Sequence, residues 1–250
     1  TSMYSSVQFF STADTWVTTG NPINPQAITD QVANSVQPSL GEVFKGKIYL
    51  VGRNTNGTNI ANSRLWYSNA INSSGNFAWT PATDFVDINP NDGENITALK
   101  RFSLELLTFK PNYIYRFRTS ATDPDPLIKV GTRSQESIVE GKTGLYFHHD
   151  SGFYKYSGGY PVEISRPISD IVDAITYANY TEIAGWKDSD HIYWNIGDVT
   201  IDGDSLSWRN CVVRYTESSG VWTISSYPNE VQFGSDYNSG SALSRVIGLD

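Results

Sequence analysis

Short apolar runs alternate with hairpin signals from Gly41 to the end of the chain, and this alternation constrains the fold more than any other feature. The runs are rich in β-branched and aromatic residues, which is typical of strands that bury at least one face. Turn residues separate them, as in Lys45-Gly46-Lys47, Pro111-Asn112 and Ser218-Ser219-Gly220. The clearest helical spacing of apolar residues occurs in Ile168 to Ala178. The chain is therefore predicted to be all-β, with antiparallel strand pairs and one short helix.

The strand pairs recur at a spacing typical of propeller blades. If Tyr49, Leu107, Tyr146 and Tyr193 are equivalent positions in four units, the last two steps are 39 and 47 residues. A four-stranded blade takes roughly 40 to 50 residues. The first step is longer, 58 residues, and we assign the difference to an insertion that includes the Asn-rich stretch 53–62. We therefore predict a β-propeller, or an incomplete propeller, of antiparallel four-stranded blades. A β-sandwich is the competing architecture, because short strands with regular turn signals occur in both folds.

The first forty residues lack the regular alternation of apolar runs and turns. Pro22, Pro25 and Pro38 interrupt any regular period there. Residues 1–40 are therefore predicted to be an N-terminal connecting segment and residues 41–250 the propeller-type domain. Thr1 is not an initiator methionine, and Arg245 to Asp250 has the pattern of the start of a strand, so we expect a fragment of a longer protein.

The charge balance argues against a dedicated nucleic-acid binding surface. The chain carries 26 Asp and Glu against 18 Lys and Arg, a formal net charge of -8, whereas phosphate binding depends on clustered Lys and Arg. Cys211 is the single cysteine and cannot form a disulfide within the chain, so a reducing compartment such as a bacterial cytoplasm is permitted. No apolar run approaches the roughly 20 residues that span a bilayer, and residues 1–10 lack the pattern of a signal peptide. We therefore predict no membrane anchor.

The sequence contains no convincing active site. A sialidase-type propeller needs S-x-D-x-G-x-x-W boxes, and Thr216 to Trp222 lacks the aspartate and is one residue short. His148 and His149 are adjacent in a predicted strand and point to opposite faces, which leaves at most one of them to join His191 at a metal ion. Asp202-Gly203-Asp204 lacks the later ligand of an EF-hand calcium loop. We therefore predict a protein that is not an enzyme and has no catalytic residues, no cofactor and no metal ion.

Two linked stretches of the chain resemble a known family. They are WTPATDFVDINPNDGENITALKRFSLELLTFKPNYIYRF at 79–117 and KVGTRSQESIVEGKTGLYFHHDSGFYKYSGGYPVEISRPI at 129–168. Together they resemble the β-propeller domain of tailed-bacteriophage tail proteins, the tail nozzle or tail tube components that lie beneath the portal and adaptor of short-tailed phages. The matching residues are Leu106, Leu107, Phe109, Lys110, Ile114 to Arg116, Val130, Gly131, Ser137, Ile138, Gly144 to Phe147, Gly152 to Tyr154, Ile164 and Ser165.

The resemblance implies a structural virion protein that is assembled in the host cytoplasm and lies in the tail. Copies would form a homo-oligomeric ring around a channel for the genome, with adaptor or portal proteins and tail fibres as partners. DNA would pass without specific binding, because acidic side chains lining the channel repel its backbone. The candidate channel-facing acids, chosen by their position in turns expected to be exposed, are Asp123, Asp125, Asp188 and Asp190.

Aromatic and basic residues in the predicted loops are candidates for contacts between subunits or with fibres, because interfaces favour Trp, Tyr and Arg. The candidate interface residues are Arg53, Trp66, Tyr67 and Trp79. The same residues would also suit packing within a blade, and the sequence leaves both roles open.

Two other classes of function also stay open. One is a glycan-binding or glycan-cleaving propeller for host recognition, which an exposed cluster of Trp and Tyr beside carboxylates would favour. The other is a general bacterial surface or interaction module, which a secretion signal on the full-length gene would favour.

Overall fold

The computed structural model describes residues 9–10, 16–17, 36–54, 63–68, 83–118, 124–201, 207–229, 231–238 and 243–249. Most of these residues lie in antiparallel strands, and the helices among them are short. None of those helices is long and apolar enough to cross a membrane. The chain divides into two compact units, Thr1–Gly93 and Glu94–Asp250.

The described residues of the first unit form a short hairpin and one four-stranded antiparallel sheet. The hairpin pairs β1 (Phe9–Phe10) with β2 (Trp16–Val17). Sheet 1 has the order β3-β4-β5-β6, with strands β3 (Val36–Phe44), β4 (Lys47–Asn54), β5 (Arg64–Tyr67) and β6 (Phe85–Asp87). Leu50, Leu65 and Trp66 of this unit are buried.

In the second unit, the residues that the structure describes form three consecutive four-stranded antiparallel sheets and a hairpin. Sheet 2 comprises β7 (Ala98–Phe102), β8 (Glu105–Phe109), β9 (Ile114–Phe117) and β10 (Asp125–Ile128). Sheet 3 comprises β11 (Val139–Glu140), β12 (Leu145–His149), β13 (Gly152–Tyr156) and β14 (Val162–Glu163). Sheet 4 comprises β15 (Gly185–Lys187), β16 (His191–Thr200), β17 (Ser207–Thr216) and β18 (Trp222–Ser226). The hairpin pairs β19 (Val231–Asn238) with β20 (Leu243–Leu249).

The described helices of the second unit connect its sheets. A 3₁₀ helix at Gln135–Ser137 precedes sheet 3, and 3₁₀ helices at Arg166–Ile168 and Tyr177–Thr181 flank the α-helix α1 (Ser169–Asp173) before sheet 4. The sequence predicted one helix over Ile168 to Ala178, and α1 is shorter. Ile175 forms an antiparallel bridge with Val199 of β16, and this extended pairing is incompatible with a helix that continues through that position.

The strands of every sheet follow one another along the chain, as expected for blade-like units. The four equivalent positions chosen from the sequence lie in the second strands of their sheets, namely Tyr49 in β4, Leu107 in β8, Tyr146 in β12 and Tyr193 in β16. The prediction of an all-β chain with antiparallel four-stranded units and one short α-helix is confirmed for the described residues. Strand β3 runs across residue 40, and the division into 1–40 and 41–250 stays a prediction.

Aromatic side chains form the core between sheets 2 and 3. Phe109 of β8 meets Phe147 of β12 edge to face, with ring centroids 5.3 Å apart. Leu107, Ile114 and Leu145 are fully buried in the same cluster. Such aromatic pairs stabilise a core by about 1 kcal/mol beyond the apolar area that they bury. The two sheets are therefore joined by their inner side chains.

A second aromatic cluster joins sheets 3 and 4. The Phe153 ring centroid lies 4.6 Å from that of Trp194 and 5.4 Å from that of Trp222. Trp194 Nε1 donates to the Ser137 carbonyl at 2.8 Å, and Trp222 Nε1 donates to the Ile164 carbonyl at 3.0 Å. Each indole thus packs against the Phe153 ring and donates its N–H to a backbone carbonyl at one end of sheet 3. Directed hydrogen bonds of this kind fix the position of one sheet on the next.

Gly131 marks a close approach of two backbone segments beside sheet 2. A Cβ built on this residue would lie 1.8 Å from the Lys110 carbonyl oxygen and 2.9 Å from that of Pro111. Any side chain there would push the chain away from the turn that follows β8. Position 131 therefore requires glycine, because there is no room for a Cβ atom.

Candidate functional site

The predicted channel-facing acids lie at separate places in the second unit. Asp125 begins β10, its side chain is 65% exposed, and it pairs with Arg116 at 3.2 Å. Asp188 and Asp190 lie together in the turn between β15 and β16. Asp123 lies outside the described residues. The turn brings Asp188 and Asp190 together, while Asp125 belongs to a different sheet.

The carboxylate of Asp188 is hydrogen-bonded within its own hairpin. It accepts hydrogen bonds from Tyr193 Oη at 2.7 Å and from His191 Nδ1 at 2.8 Å. The backbone N–H groups of Asp190 and His191 donate to it as well. Burial alone would raise the pKa of Asp188, but these donors outweigh it and lower the pKa to about 2. The side chain is only 10% exposed, so the exposed position expected from the turn sequence is wrong for this residue.

Asp190 belongs to a polar junction between sheets 3 and 4. Its carboxylate accepts a hydrogen bond from Ser218 Oγ at 2.5 Å and lies 3.8 Å from Lys142 Nζ. Its carbonyl accepts the backbone N–H of Glu217 at 2.9 Å. Asp190 therefore connects its own turn to the turns that contain Lys142 and Ser218. A position facing a channel stays a prediction for Asp190 and for Asp125.

Glu217 is the central residue of this junction, and sequence reasoning did not single it out. Its carboxylate accepts the backbone N–H groups of Lys142 at 2.9 Å and Thr143 at 3.0 Å. It also accepts the Thr143 hydroxyl at 2.9 Å and the Tyr146 hydroxyl at 3.0 Å. The link spans more than 70 residues of sequence, so neither turn signals nor periodicity could have indicated it. We call this group of residues the Glu217 clamp.

The candidate interface residues are described in part. Trp66 is fully buried, which fits the packing role that the sequence left open. Tyr67 is half-buried, with Lys47 Nζ 5.0 Å from its ring centroid. The side chain of Arg53 and the whole of Trp79 lie outside the described residues.

The two adjacent histidines of β12 are buried on different sides of the strand. The His148 ring lies 5.1 Å from the rings of Phe153 and Tyr180, and burial lowers its pKa to about 3. His149 Nδ1 lies 2.8 Å from Ser151 Oγ, and burial lowers its pKa too. Across the described part of the chain, no three His, Cys, Asp or Glu residues are grouped so as to hold a metal ion.

A polar pocket of about 300 Å³ opens beside sheet 4, between the 3₁₀ helix Tyr177–Thr181 and the β16–β17 pair. We call it the sheet-4 pocket. It is lined by Asn179, Glu182, Ile183, Asn195, Ile196, Gly197, Asp198 and Asn210. Small-ligand sites begin at about this volume, so the pocket can admit a compact molecule.

Two irregular backbone positions shape the sheet-4 pocket. The β16–β17 register shifts on both sides of Gly197. Gly197 and Asn210 have positive φ angles of 71° and 48°, a conformation that glycine and asparagine adopt at the least cost. A Cβ on Gly197 would lie 2.5 Å from Asn179 Nδ2. The bulge therefore favours glycine at position 197, and it lies in the lining of the pocket.

Comparisons with known proteins show similarity of fold only. No family model matches the chain, and no curated protein matches it. The crystal structure of the computationally designed Ika8 protein is similar, with a TM-score of 0.50 and 8% identity over 85% of this chain and 55% of that one. The extracellular domain of a protein assigned as a one-component system of B. thetaiotaomicron has a TM-score of 0.48 and 12% identity, over 85% and 28% of the two chains. An S. cerevisiae Dbp5 structure with Nup159, Gle1, IP6 and ADP has a TM-score of 0.46 and 9% identity, over 81% and 52%. The chain spans about half the length of the designed protein, and the likeness to it carries no function.

Proposed function

We propose that the protein is a structural virion protein of a tailed bacteriophage, a tail nozzle or tail tube subunit of the head-to-tail connector. The observation that supports this proposal is the placement of the residues that resemble that family. Phe109 and Phe147 form the contact between sheets 2 and 3, and Gly131 fits where no side chain could. Phe153 packs on Trp194 in the next junction. These four matching residues thus have roles that a series of packed four-stranded sheets requires.

In this proposal, sheets 2, 3 and 4 are consecutive blades of a propeller or of an incomplete propeller. Each junction combines an aromatic cluster with hydrogen bonds that cross from one sheet to the next, as Trp194 and Trp222 do. Close packing of this kind resists deformation. A stiff subunit suits a protein that works by shape and self-association.

Copies of the subunit would form a homo-oligomeric ring that contacts the adaptor or portal and the tail fibres and surrounds a channel for the genome. The net charge of -8 would keep DNA from adhering while it passes. Among the described candidate acids, Asp125 has the most exposed carboxylate. It is therefore the best placed of them to repel the DNA backbone. Asp188 and Asp190 would contribute charge from within their turn.

Immunogold electron microscopy tests the proposal. An antibody raised against the 250-residue chain is applied to intact virus particles from the source sample, and we expect gold at the tail or the portal vertex. Preincubation of the antibody with the purified chain is the control and should remove the label. Gold on host cells or in secreted fractions, with unlabelled particles, would contradict the proposal.

A further inference from the structure

We infer that the sheet-4 pocket binds a small neutral sugar through its hydroxyl groups. The proposal is independent of the virion proposal, because it depends only on the pocket's own lining. A hydroxyl group both donates and accepts a hydrogen bond. The lining offers free donors and free acceptors side by side, which a polyhydroxylated ligand can satisfy together.

The buried donor in the pocket is the Asn195 side-chain amide. The residue is 8% exposed, and its Oδ1 accepts the Ala184 backbone N–H at 2.6 Å. That bond fixes the orientation of the amide, so Nδ2 is the atom left over. Nδ2 donates to no group in the described part of the chain, and it is not one of the sealed polar atoms of the core. The Asn195 amide is therefore nearly buried, has an unused N–H donor and is accessible from the pocket. A ligand that supplies an acceptor would satisfy this donor.

The acceptors are two carboxylates and the remaining amide oxygens. Asp198 Oδ1 accepts the backbone N–H of Asn210 at 2.8 Å, which holds the carboxylate at the rim and leaves its second oxygen available. The carboxylate of Glu182 has no hydrogen bond or ion pair with any described residue. A carboxylate can accept hydrogen bonds from two neighbouring hydroxyls, and these charge-assisted bonds are the stronger kind.

The lining argues against ligands of other classes. None of the described residues that line the pocket is Lys or Arg, so phosphates and other anions would meet two carboxylates without a compensating cation. A bare divalent cation would leave most of the 300 Å³ unfilled and would face the N–H donor of Asn195. Ile183 and Ile196 are fully buried behind the polar lining, so the polar side chains are the groups that a ligand would contact.

Saturation-transfer difference NMR on the full 250-residue chain tests the inference. The probes are glucose, galactose, mannose and N-acetylglucosamine, each in a buffer that contains EDTA. We expect at least one of them to bind, with an affinity of about 1 mM, since a few exposed hydrogen bonds supply little more. No binding by any of the four would overturn the inference.

Isosteric variants show whether the binding occurs in this pocket. Glu182→Gln and Asp198→Asn remove a charge and keep an oxygen, and Asn195→Asp removes the donor but keeps the acceptor for Ala184. Each is expected to weaken binding by about tenfold, the cost of one good hydrogen bond. Asp170→Asn on α1 makes the same kind of change on an exposed residue away from the lining, and it should bind as the unchanged chain does.

Two outcomes would reject the site. One is binding that Glu182→Gln and Asp198→Asn leave unchanged. The other is calcium binding, by titration without EDTA, in a chain that takes up none of the sugars. If circular dichroism shows that Asn195→Asp does not fold, the other two variants decide, because Glu182 and Asp198 are exposed.

Discussion

Replacing Glu217 by glutamine would test the junction between sheets 3 and 4 with a nearly isosteric change. The carboxylate accepts four hydrogen bonds, all of them from Lys142, Thr143 and Tyr146. The amide of glutamine has one acceptor oxygen, and its nitrogen would face a backbone N–H. At least one bond is therefore lost, and the others lose the assistance of the charge.

The expected cost follows from these bonds. A hydrogen bond to a charged group contributes about 1.5 to 3 kcal/mol, and charge assistance roughly doubles the strength of a neutral bond. The Glu217 clamp lies at a partly exposed turn, so the lower end of the range applies. We expect Glu217→Gln to destabilise the junction by about 2 kcal/mol.

Amide hydrogen exchange measures this cost locally, without requiring the two units to unfold together. About 2 kcal/mol corresponds to roughly 30-fold faster exchange at the Lys142 and Thr143 amides. Glu136→Gln is the matched control, because Glu136 is an exposed carboxylate in the 3₁₀ helix Gln135–Ser137. If exchange at the two amides rises by less than about threefold, the clamp contributes under roughly 1 kcal/mol and the reasoning fails.

The same comparison has a pH dependence of known sign. Burial alone would raise the pKa of Glu217, but the donated hydrogen bonds lower it overall. A lowered carboxyl pKa contributes stability above the unfolded value, about 4.3, and this contribution is lost as the pH falls through the folded value. The difference between the unchanged chain and Glu217→Gln should therefore stay constant above about pH 5 and shrink below about pH 4. A difference that persists at acid pH would contradict this assignment.

Three further outcomes are expected. Gly131→Ala should cost about 3 kcal/mol or more, because its Cβ would meet the Lys110 carbonyl, whereas Gly159→Ala, which has open space around it, should leave the melting temperature unchanged. Phe153→Ala should cost about 3 to 5 kcal/mol in chemical denaturation, because the ring is fully buried against Trp194 and Trp222. The His148 imidazole should show no titration by NMR between pH 8 and pH 5, since burial lowers its pKa to about 3; a midpoint near 6 would refute that burial.

The strand repeat could be predicted because its signals are local. Turn residues such as Lys45-Gly46 and the apolar runs beside them act over fewer than ten residues. Leu107 and Tyr146 lie in the second strands of their sheets, as the repeat of these runs predicted. The helix was predicted too long because Ile175 pairs with Val199. That bridge is a tertiary contact, and it outweighs the helical preference of the segment.

The candidate sites could be predicted less well, because they depend on contacts between distant segments. Asp188 looks like an exposed turn residue in the sequence, but His191 and Tyr193 fold back to bond its carboxylate. Glu217 reaches residues more than 70 positions away. The sheet-4 pocket arises from a bulge at Gly197 that no hairpin signal marks. Sequence patterns thus indicate which residues form strands, whereas the polar sites depend on side-chain contacts and on strand irregularities that these patterns do not show.

The order of the strands also determines how this chain can fold during synthesis. Each four-stranded sheet uses only consecutive strands, so its hydrogen-bonding partners all lie within a stretch of 25 (sheet 3) to 52 (sheet 1) residues. Sheets 2 and 3 can therefore form before sheet 4 is translated. The bonds from Trp222 to Ile164 and from Glu217 to Lys142 close only after the last strand of sheet 4 and the turn before it have emerged. These hydrogen bonds therefore form late, and they join sheet 4 to a sheet 3 that is already in place.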